Sequence, residues 1–148
     1  MSTYTQIYYH LIYSTKGREP ALFEDRREKI FRYHWGILQN NHCHLYRVNA
    51  VDDHMHLLIS LHPTVALANL IRDMKAASTA WMHGEMGFRD FPGWQVGYGA
   101  FTKSHAEKEG VIQYIKNQQE HHKTISFRDE LRQMLEREGI AFEDEYLD

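Results

Sequence analysis

Apolar and polar residues along the chain alternate between strand-like and helix-like patterns. Residues 4–15 are rich in aromatic and β-branched side chains and predict a strand, with Ile7, Tyr9, Leu11 and Tyr13 on one face. The other predicted elements are a helix over residues 24–40, strands over 43–51 and 54–61, a helix opened by Pro63 with Thr64 as its N-cap, a strand over 94–102, a helix from Ser104 to about His122 and a helix over 127–137.

The order of these elements is strand, helix, strand, strand, helix, strand, helix, helix. The first six match the ferredoxin-like β-α-β-β-α-β pattern, an α+β fold in which two helices cover one face of an antiparallel sheet. The last two would be additional C-terminal helices. We expect residues 1–125 and the helix and acidic tail of residues 126–148 to form one domain.

Composition and charge narrow the class of protein. Hydrophobic residues make up 43% of the 148 residues and charged residues 25%, which is typical of a globular chain. Apolar runs stay well short of the ~20 residues that span a membrane, and the N-terminus lacks a secretory pattern. Cys43 is the only cysteine, so we expect a cytoplasmic protein. Residues 129–148 carry a charge of −6 and the remainder +3, which leaves a mildly basic body able to bind a polyanion locally.

Two histidines stand at the start of the most apolar predicted strand. Side chains alternate faces along a strand, so His54 and His56 share one face while Met55, Leu57 and Ile59 point toward a core on the other. Two neighbouring imidazoles on a rigid strand can share a metal ion. The alternative is a pair of histidines that are simply hydrogen-bonded within a sheet.

A second polar set lies on the predicted helix that follows Ser104. Tyr114 and Gln118 are four residues apart and therefore lie on one helical face, with His121 and His122 close to it. Packing is the ordinary role of a helical tyrosine, and solvation that of a glutamine. Surface or supporting roles are favoured for His121 and His122.

Together, the two sets contain the groups needed for one reaction. The imidazoles of His54 and His56 and the carbonyl oxygen of Gln118 could hold Mn²⁺, or Mg²⁺ with retained waters. The Tyr114 hydroxyl could then attack a bound phosphate. A phenol with a pKa of ~10 is mostly protonated at neutral pH and is therefore a weak nucleophile. A divalent cation helps the reaction because it stabilises the charge that develops on the phosphate. The product would be a phosphotyrosine ester, and attack by a free 3′-hydroxyl on that ester could reverse the step.

These residues resemble a known family. His54-Met55-His56 is similar to the histidine-hydrophobic-histidine signature of HUH endonucleases. Tyr114-Ile115-x-Asn117-Gln118-x-x-His121-His122 resembles the nucleophile helix of their single-tyrosine transposases, which include REP-associated relatives. The resemblance implies a metal-dependent transposase in which Tyr114 is the nucleophile and His54, His56 and Gln118 are metal ligands. Asp53 departs from the asparagine that many relatives carry before the first histidine.

The resemblance also implies partners. The substrate would be single-stranded DNA with hairpins at the element ends, cut to a 5′-phosphotyrosine and a free 3′-hydroxyl. A homodimer is expected, in which the tyrosine of one subunit can serve the metal site of the other. Basic side chains that could contact DNA phosphates are Lys16, Arg18, Arg72 and Lys75.

Two further readings of the sequence remain open. A non-catalytic nucleic-acid-binding module would use exposed aromatic side chains at the centre of the sheet and would need no metal. A domesticated transposase would keep the fold but serve a housekeeping task. His42-Cys43-His44 is a second histidine-x-histidine triplet. A zinc site would need further ligands at a recognisable spacing, and the single cysteine does not supply them, so this triplet is interpreted as structural.

Overall fold

A computed structural model describes residues 1–147 of the chain. Four strands form one antiparallel sheet in the order β2-β3-β1-β4. The strands are β1 (Tyr8–Ser14), β2 (His44–Val51), β3 (His54–Ser60) and β4 (Gly99–Lys103). This order and the antiparallel pairing confirm the predicted ferredoxin-like arrangement.

The helices lie on both faces of this sheet. They are α1 (Glu24–Asn40), α2 (Leu67–His83), α3 (Lys108–Lys116), α4 (Gln118–His121) and α5 (Phe127–Arg137). Helices α1 and α2 bury the main core, to which the alternating apolar residues of β1 and β3 contribute Leu11, Tyr13, Met55, Leu57 and Ile59. Burial of this aliphatic surface is the dominant favourable term in folding.

The opposite face of the sheet is covered by the C-terminal helices. Ile115 of α3 packs against Leu58, whereas Phe127 and Met134 of α5 pack against Ile12. This face also carries the histidines of β1 and β3, which are therefore buried between the sheet and α3–α5. The predicted alternation of β3 is confirmed, because Met55 and His56 lie on opposite faces.

The predicted boundaries of two elements were wrong. The strand expected over residues 94–102 begins only at Gly99, because Trp94 makes a single bridge to Thr15 and Gly97 adopts a φ of 91° that a regular strand does not allow. The helix expected from Ser104 to about His122 is divided into a 3₁₀ turn, α3 and α4. The break falls at Asn117, whose φ and ψ are −93° and 17°.

Smaller differences concern element ends. Thr64 is not an N-cap: its hydroxyl is hydrogen-bonded to the His62 ring at 2.7 Å, and α2 begins after Ala66. The first strand begins at Tyr8, later than the predicted residue 4. Among residues 1–147, no helix combines the length and the apolar character that crossing a membrane requires.

Candidate active site

The two histidines of β3 are held at one nitrogen each. His54 Nδ1 lies 2.7 Å from the Asp53 carboxylate, and His56 Nδ1 lies 2.8 Å from Nε2 of His10 on the neighbouring strand β1. Both rings of the pair are fully buried. A hydrogen bond at Nδ1 fixes the tautomer and orientation of an imidazole and leaves Nε2 as the functional atom. The Nε2 atoms of His54 and His56 therefore point to one common place.

The carboxylate of Glu130, from α5, occupies that place. Its Oε1 lies 3.1 Å from His54 Nε2, 3.0 Å from His56 Nε2 and 2.9 Å from His122 Nε2. His54 Nε2 and His122 Nε2 are themselves 3.1 Å apart. Glu130 is only 1% exposed, so one buried carboxylate oxygen meets three imidazole nitrogens.

The second oxygen of Glu130 connects this cluster to the tyrosine helix. The Tyr114 hydroxyl donates a hydrogen bond to Glu130 Oε2, and Gln118 Nε2 donates to the same oxygen at 3.0 Å. Within residues 1–147, the buried Oε1 of Gln118 has no hydrogen-bond partner. The four residues predicted to act together, His54, His56, Tyr114 and Gln118, thus meet in one chain.

Asn49 of β2 holds the helix break that presents Tyr114 and Gln118. Its amide nitrogen donates to the carbonyl oxygens of Ile115 and Lys116 at 2.8 and 3.2 Å, where α3 ends. The Asn49 side chain also forms two hydrogen bonds with the amide of Gln119. Because the last carbonyls of a helix lack intrahelical partners, a buried side-chain donor stabilises this end and fixes its place over the sheet.

Burial and the shared carboxylate set the protonation of the site. Burial raises the pKa of the Tyr114 hydroxyl, and the charge of Glu130 raises it further, so the hydroxyl stays protonated. Burial lowers the pKa of His56 to about 4 despite its contact with Glu130. For His54, burial also disfavours the charged ring, but the hydrogen bonds with Asp53 and Glu130 prevail and the pKa is raised. Burial opposes ionisation of Glu130 too, yet its imidazole contacts lower its pKa.

Two of the four predicted phosphate contacts donate to carbonyl oxygens of the chain itself, and the other two are exposed. Lys75 Nζ donates to the carbonyl oxygens of Gln95 and Gly97, which holds the loop before β4. Arg18 donates to the Leu147 carbonyl and lies over the Phe127 ring. Arg72 is exposed beside Asp73, and Lys16 is exposed in a 3₁₀ turn after β1.

Glu130 and His10 were not predicted from the sequence, which indicated only a surface or supporting role for His122 and no role for Asp53. A signal for Glu130 existed, because it lies among the apolar residues Phe127, Leu131 and Met134 of one helical face, where an acidic side chain is costly unless it is paired. His10 lies in a strand whose neighbours are apolar. Only the register between β1 and β3 brings it to His56.

The donor set of this site fits a metal ion. His54, His56, His122 and Glu130 each offer one ligand atom, and these atoms all lie within 4.8 Å of one another. Imidazole nitrogen and carboxylate oxygen are the ligands that divalent transition metals take in proteins. Gln118, whose Nε2 donates to Glu130 Oε2, also carries a buried oxygen without a partner among residues 1–147.

This fold and site define a tyrosine-containing, histidine-rich centre on a ferredoxin-like sheet, and comparisons with known proteins identify its class. The family model described as "Transposase IS200 like" matches residues 3–118. The chain belongs to this transposase family, which confirms the resemblance inferred from the sequence.

Individual relatives agree with the family. The chain is 25% identical over 118 residues to the ISDra2 transposase TnpA of Deinococcus radiodurans, a match that covers 76% of this chain and 84% of the relative. A crystal structure of a protein assigned as a transposase from Deinococcus radiodurans R1 aligns with a TM-score of 0.64 and 24% identity, over 80% of this chain and 95% of that one. A REP-associated tyrosine transposase bound to a REP hairpin aligns with a TM-score of 0.63 and 14% identity, over 84% and 76%. At these identities the two structures establish the shared fold.

Proposed function

We propose that this transposase nicks and rejoins single-stranded DNA at hairpin-marked element ends through a 5′-phosphotyrosine on Tyr114. His54, His56 and Gln118 would hold Mg²⁺ or Mn²⁺ beside the scissile phosphate. The observation that carries the proposal is the meeting of Tyr114 with the histidine pair of its own chain across a single carboxylate, Glu130.

In the proposed reaction, each bond made is matched by one broken. The Tyr114 oxygen forms a bond to phosphorus, the bond from phosphorus to the 3′ oxygen breaks, and the 3′ oxygen takes up a proton from solvent. The Tyr114 proton is released to solvent, and Glu130, which accepts the hydrogen bond of the hydroxyl and whose own pKa is lowered, orients the nucleophile. A bound divalent cation would supply electrostatic stabilisation of the phosphate. Attack by a 3′-hydroxyl on the phosphotyrosine reverses the sequence and joins DNA.

The raised pKa of Tyr114 is consistent with this division of labour. A buried phenol beside a carboxylate is a weak nucleophile by itself. A divalent cation held by this site would add positive charge near the hydroxyl, and positive charge favours the ionised phenol. The site is therefore expected to be inactive without a divalent cation.

The alternative of a non-catalytic sheet-binding module receives less support. Such a module needs aromatic side chains exposed at the centre of the sheet. Here α3, α4 and α5 cover that face, and its histidines are buried. The module also gives no reason for Tyr114, Gln118, His54 and His56 to lie together.

Hairpin DNA as the partner is inferred from the family and from the hairpin-bound transposase of the same fold. The predicted homodimer stays a prediction. Because Tyr114 reaches the histidine pair within one chain, exchange of tyrosines between subunits is not needed to assemble the site. Light scattering of the purified protein with and without hairpin DNA would measure the oligomeric state.

The test is formation of a covalent protein–DNA adduct. Single-stranded oligonucleotides carrying the hairpin sequences that flank the gene are incubated with the protein and Mn²⁺ or Mg²⁺, then separated under denaturing conditions. We expect an adduct that is absent for Tyr114→Phe and reduced at least about a hundredfold for His56→Ala.

A matched control is Tyr33→Phe, because Tyr33 stacks on Trp81 at 4.5 Å between the helices of the other face. This variant should form the adduct normally. An adduct that persists in Tyr114→Phe at wild-type yield would remove Tyr114 as the nucleophile.

A further inference from the structure

Two members of the buried cluster come from outside the family match. The match ends at residue 118, whereas His122 follows α4 and Glu130 lies in α5. Helix α5 is placed by its own sequence: Ser126 caps it by accepting from the Asp129 amide, and Phe127 and Met134 pack against the sheet. Glu130 lies on the same helical face and is thereby directed into the site.

We propose that His122 and Glu130 complete the metal centre of this transposase together with His54 and His56, and that the centre selects a transition metal over Mg²⁺. This proposal rests on the proposed function, because it concerns the same cation. It assigns ligands to a C-terminal segment for which the family match provides no counterpart.

The orientation of the three imidazoles is the first argument. His122 Nδ1 is hydrogen-bonded to the Ile125 carbonyl at 2.8 Å, as Asp53 holds His54 and His10 holds His56. Each ring therefore has Nδ1 occupied and Nε2 directed inward. Histidines that ligate metals nearly always show this pattern, in which a carboxylate, a carbonyl or another acceptor holds the remote nitrogen. Here three different partners, Asp53, His10 and the Ile125 carbonyl, hold the Nδ1 atoms of rings whose Nε2 atoms meet at Glu130.

The spacing of the donor atoms is the second argument. Glu130 Oε1 lies 2.9–3.1 Å from the three Nε2 atoms, and the Nε2 atoms of His54 and His122 are 3.1 Å apart. A cation that holds its ligands at about 2.1 Å separates neighbouring donor atoms at right angles by about 3.0 Å. The cluster thus has the dimensions of ligands arranged around one ion.

The chemistry of the donor set decides the metal. Three imidazoles and one carboxylate are nitrogen-rich, whereas Mg²⁺ prefers oxygen ligands and retained waters. In this arrangement Tyr114 and Gln118 hold the outer oxygen of Glu130, and the inner oxygen faces the imidazoles. Glu130 would therefore join the nucleophile to the metal centre.

Binding of Mn²⁺ alone to the full chain tests this assignment. Free Mn²⁺ gives a six-line electron paramagnetic resonance signal whose loss measures binding. We expect one equivalent to bind, with Kd raised at least about tenfold in Glu130→Gln and in His122→Ala. Mg²⁺ should compete at least about tenfold more weakly than Zn²⁺ or Co²⁺.

Matched variants separate the possible outcomes. Asp129→Asn changes the same charge on an exposed neighbour in α5 and should leave Kd unchanged. Circular dichroism and thermal unfolding establish that each variant is folded, and Glu130→Asp, which keeps the carboxylate, should recover part of the affinity. If Glu130→Gln and His122→Ala bind Mn²⁺ as the wild type does while His56→Ala does not, this proposal is overturned and the proposed function stands. If His56→Ala also binds normally, the metal site of the proposed function fails as well.

Discussion

The hydrogen bond between Asp53 and His54 is expected to control metal affinity without contacting the metal. The Asp53 carboxylate lies 2.7 Å from His54 Nδ1, and its side chain is 29% exposed. Replacement by Ala removes the acceptor that fixes the ring, so His54 Nε2 is no longer held toward the cluster. Loss of such an outer partner lowers metal affinity by about 10–100-fold. Because water can partly replace this carboxylate, we expect about tenfold, or about 1.4 kcal/mol.

The assay is Mn²⁺ binding by titration calorimetry, with Asp52→Ala as the matched control. Asp52 is the adjacent residue with the same charge, but its carboxylate pairs with Arg27 at 2.8 Å. Asp53→Ala should raise Kd about tenfold and Asp52→Ala should change it less than about twofold. A folded Asp53→Ala protein with wild-type affinity would refute the reasoning that outer hydrogen bonds aim these imidazoles.

Three further predictions concern stability and positioning. Burial lowers the pKa of His34 from 6.5 to about 4, so the folded chain binds fewer protons than the unfolded chain at acidic pH. The free energy of unfolding should therefore fall by about 2 to 3 kcal/mol between pH 7 and pH 4.5. Urea unfolding at both pH values should show that His34→Leu lacks this part of the loss. A Cβ at Gly99 would lie 2.5 Å from Ile12 Cγ2, so Gly99→Ala should destabilise the folded chain by about 1–3 kcal/mol. Gly36 lies on α1 with open space around it, so Gly36→Ala should stabilise the chain by about 0.5–1 kcal/mol. Thermal unfolding measures both changes. Asn49→Ala removes the buried donor at the end of α3 and should lower adduct yield at least about tenfold. Metal affinity should fall by less, because Gln118 is the only proposed ligand at this helix end, and equal loss of both would contradict a role mainly in positioning Tyr114.

Much of the fold could be predicted from local pattern. The aliphatic alternation of β3 and the long amphipathic helices α1 and α2 are strong periodic signals. These elements lie where expected, except that α2 begins after Ala66. The loop over residues 94–98 could not be read in this way. Its composition suits a strand, but the Lys75 ammonium binds its carbonyl oxygens and Gly97 takes a positive φ. Tertiary contacts therefore override local propensity there.

The candidate site was predictable only where its residues are neighbours in sequence. His54 and His56 are close in sequence, and Tyr114 and Gln118 are one helical turn apart, so spacing reveals both pairs. Glu130 reaches them only through the docking of α5 on the sheet, which depends on apolar contacts far from the site. His10 meets His56 through strand register, which the residue pattern alone does not specify.

The central claim is that Tyr114 forms the covalent bond to DNA, and peptide mapping of the adduct tests it most directly. Trypsin should release residues 109–116, between Lys108 and Lys116, a peptide in which Tyr114 is the only tyrosine. We predict that tandem mass spectrometry of the nuclease-trimmed adduct places a 5′-nucleotide on Tyr114 in this peptide. A nucleotide carried by any other residue, with this peptide recovered unmodified, would contradict the account.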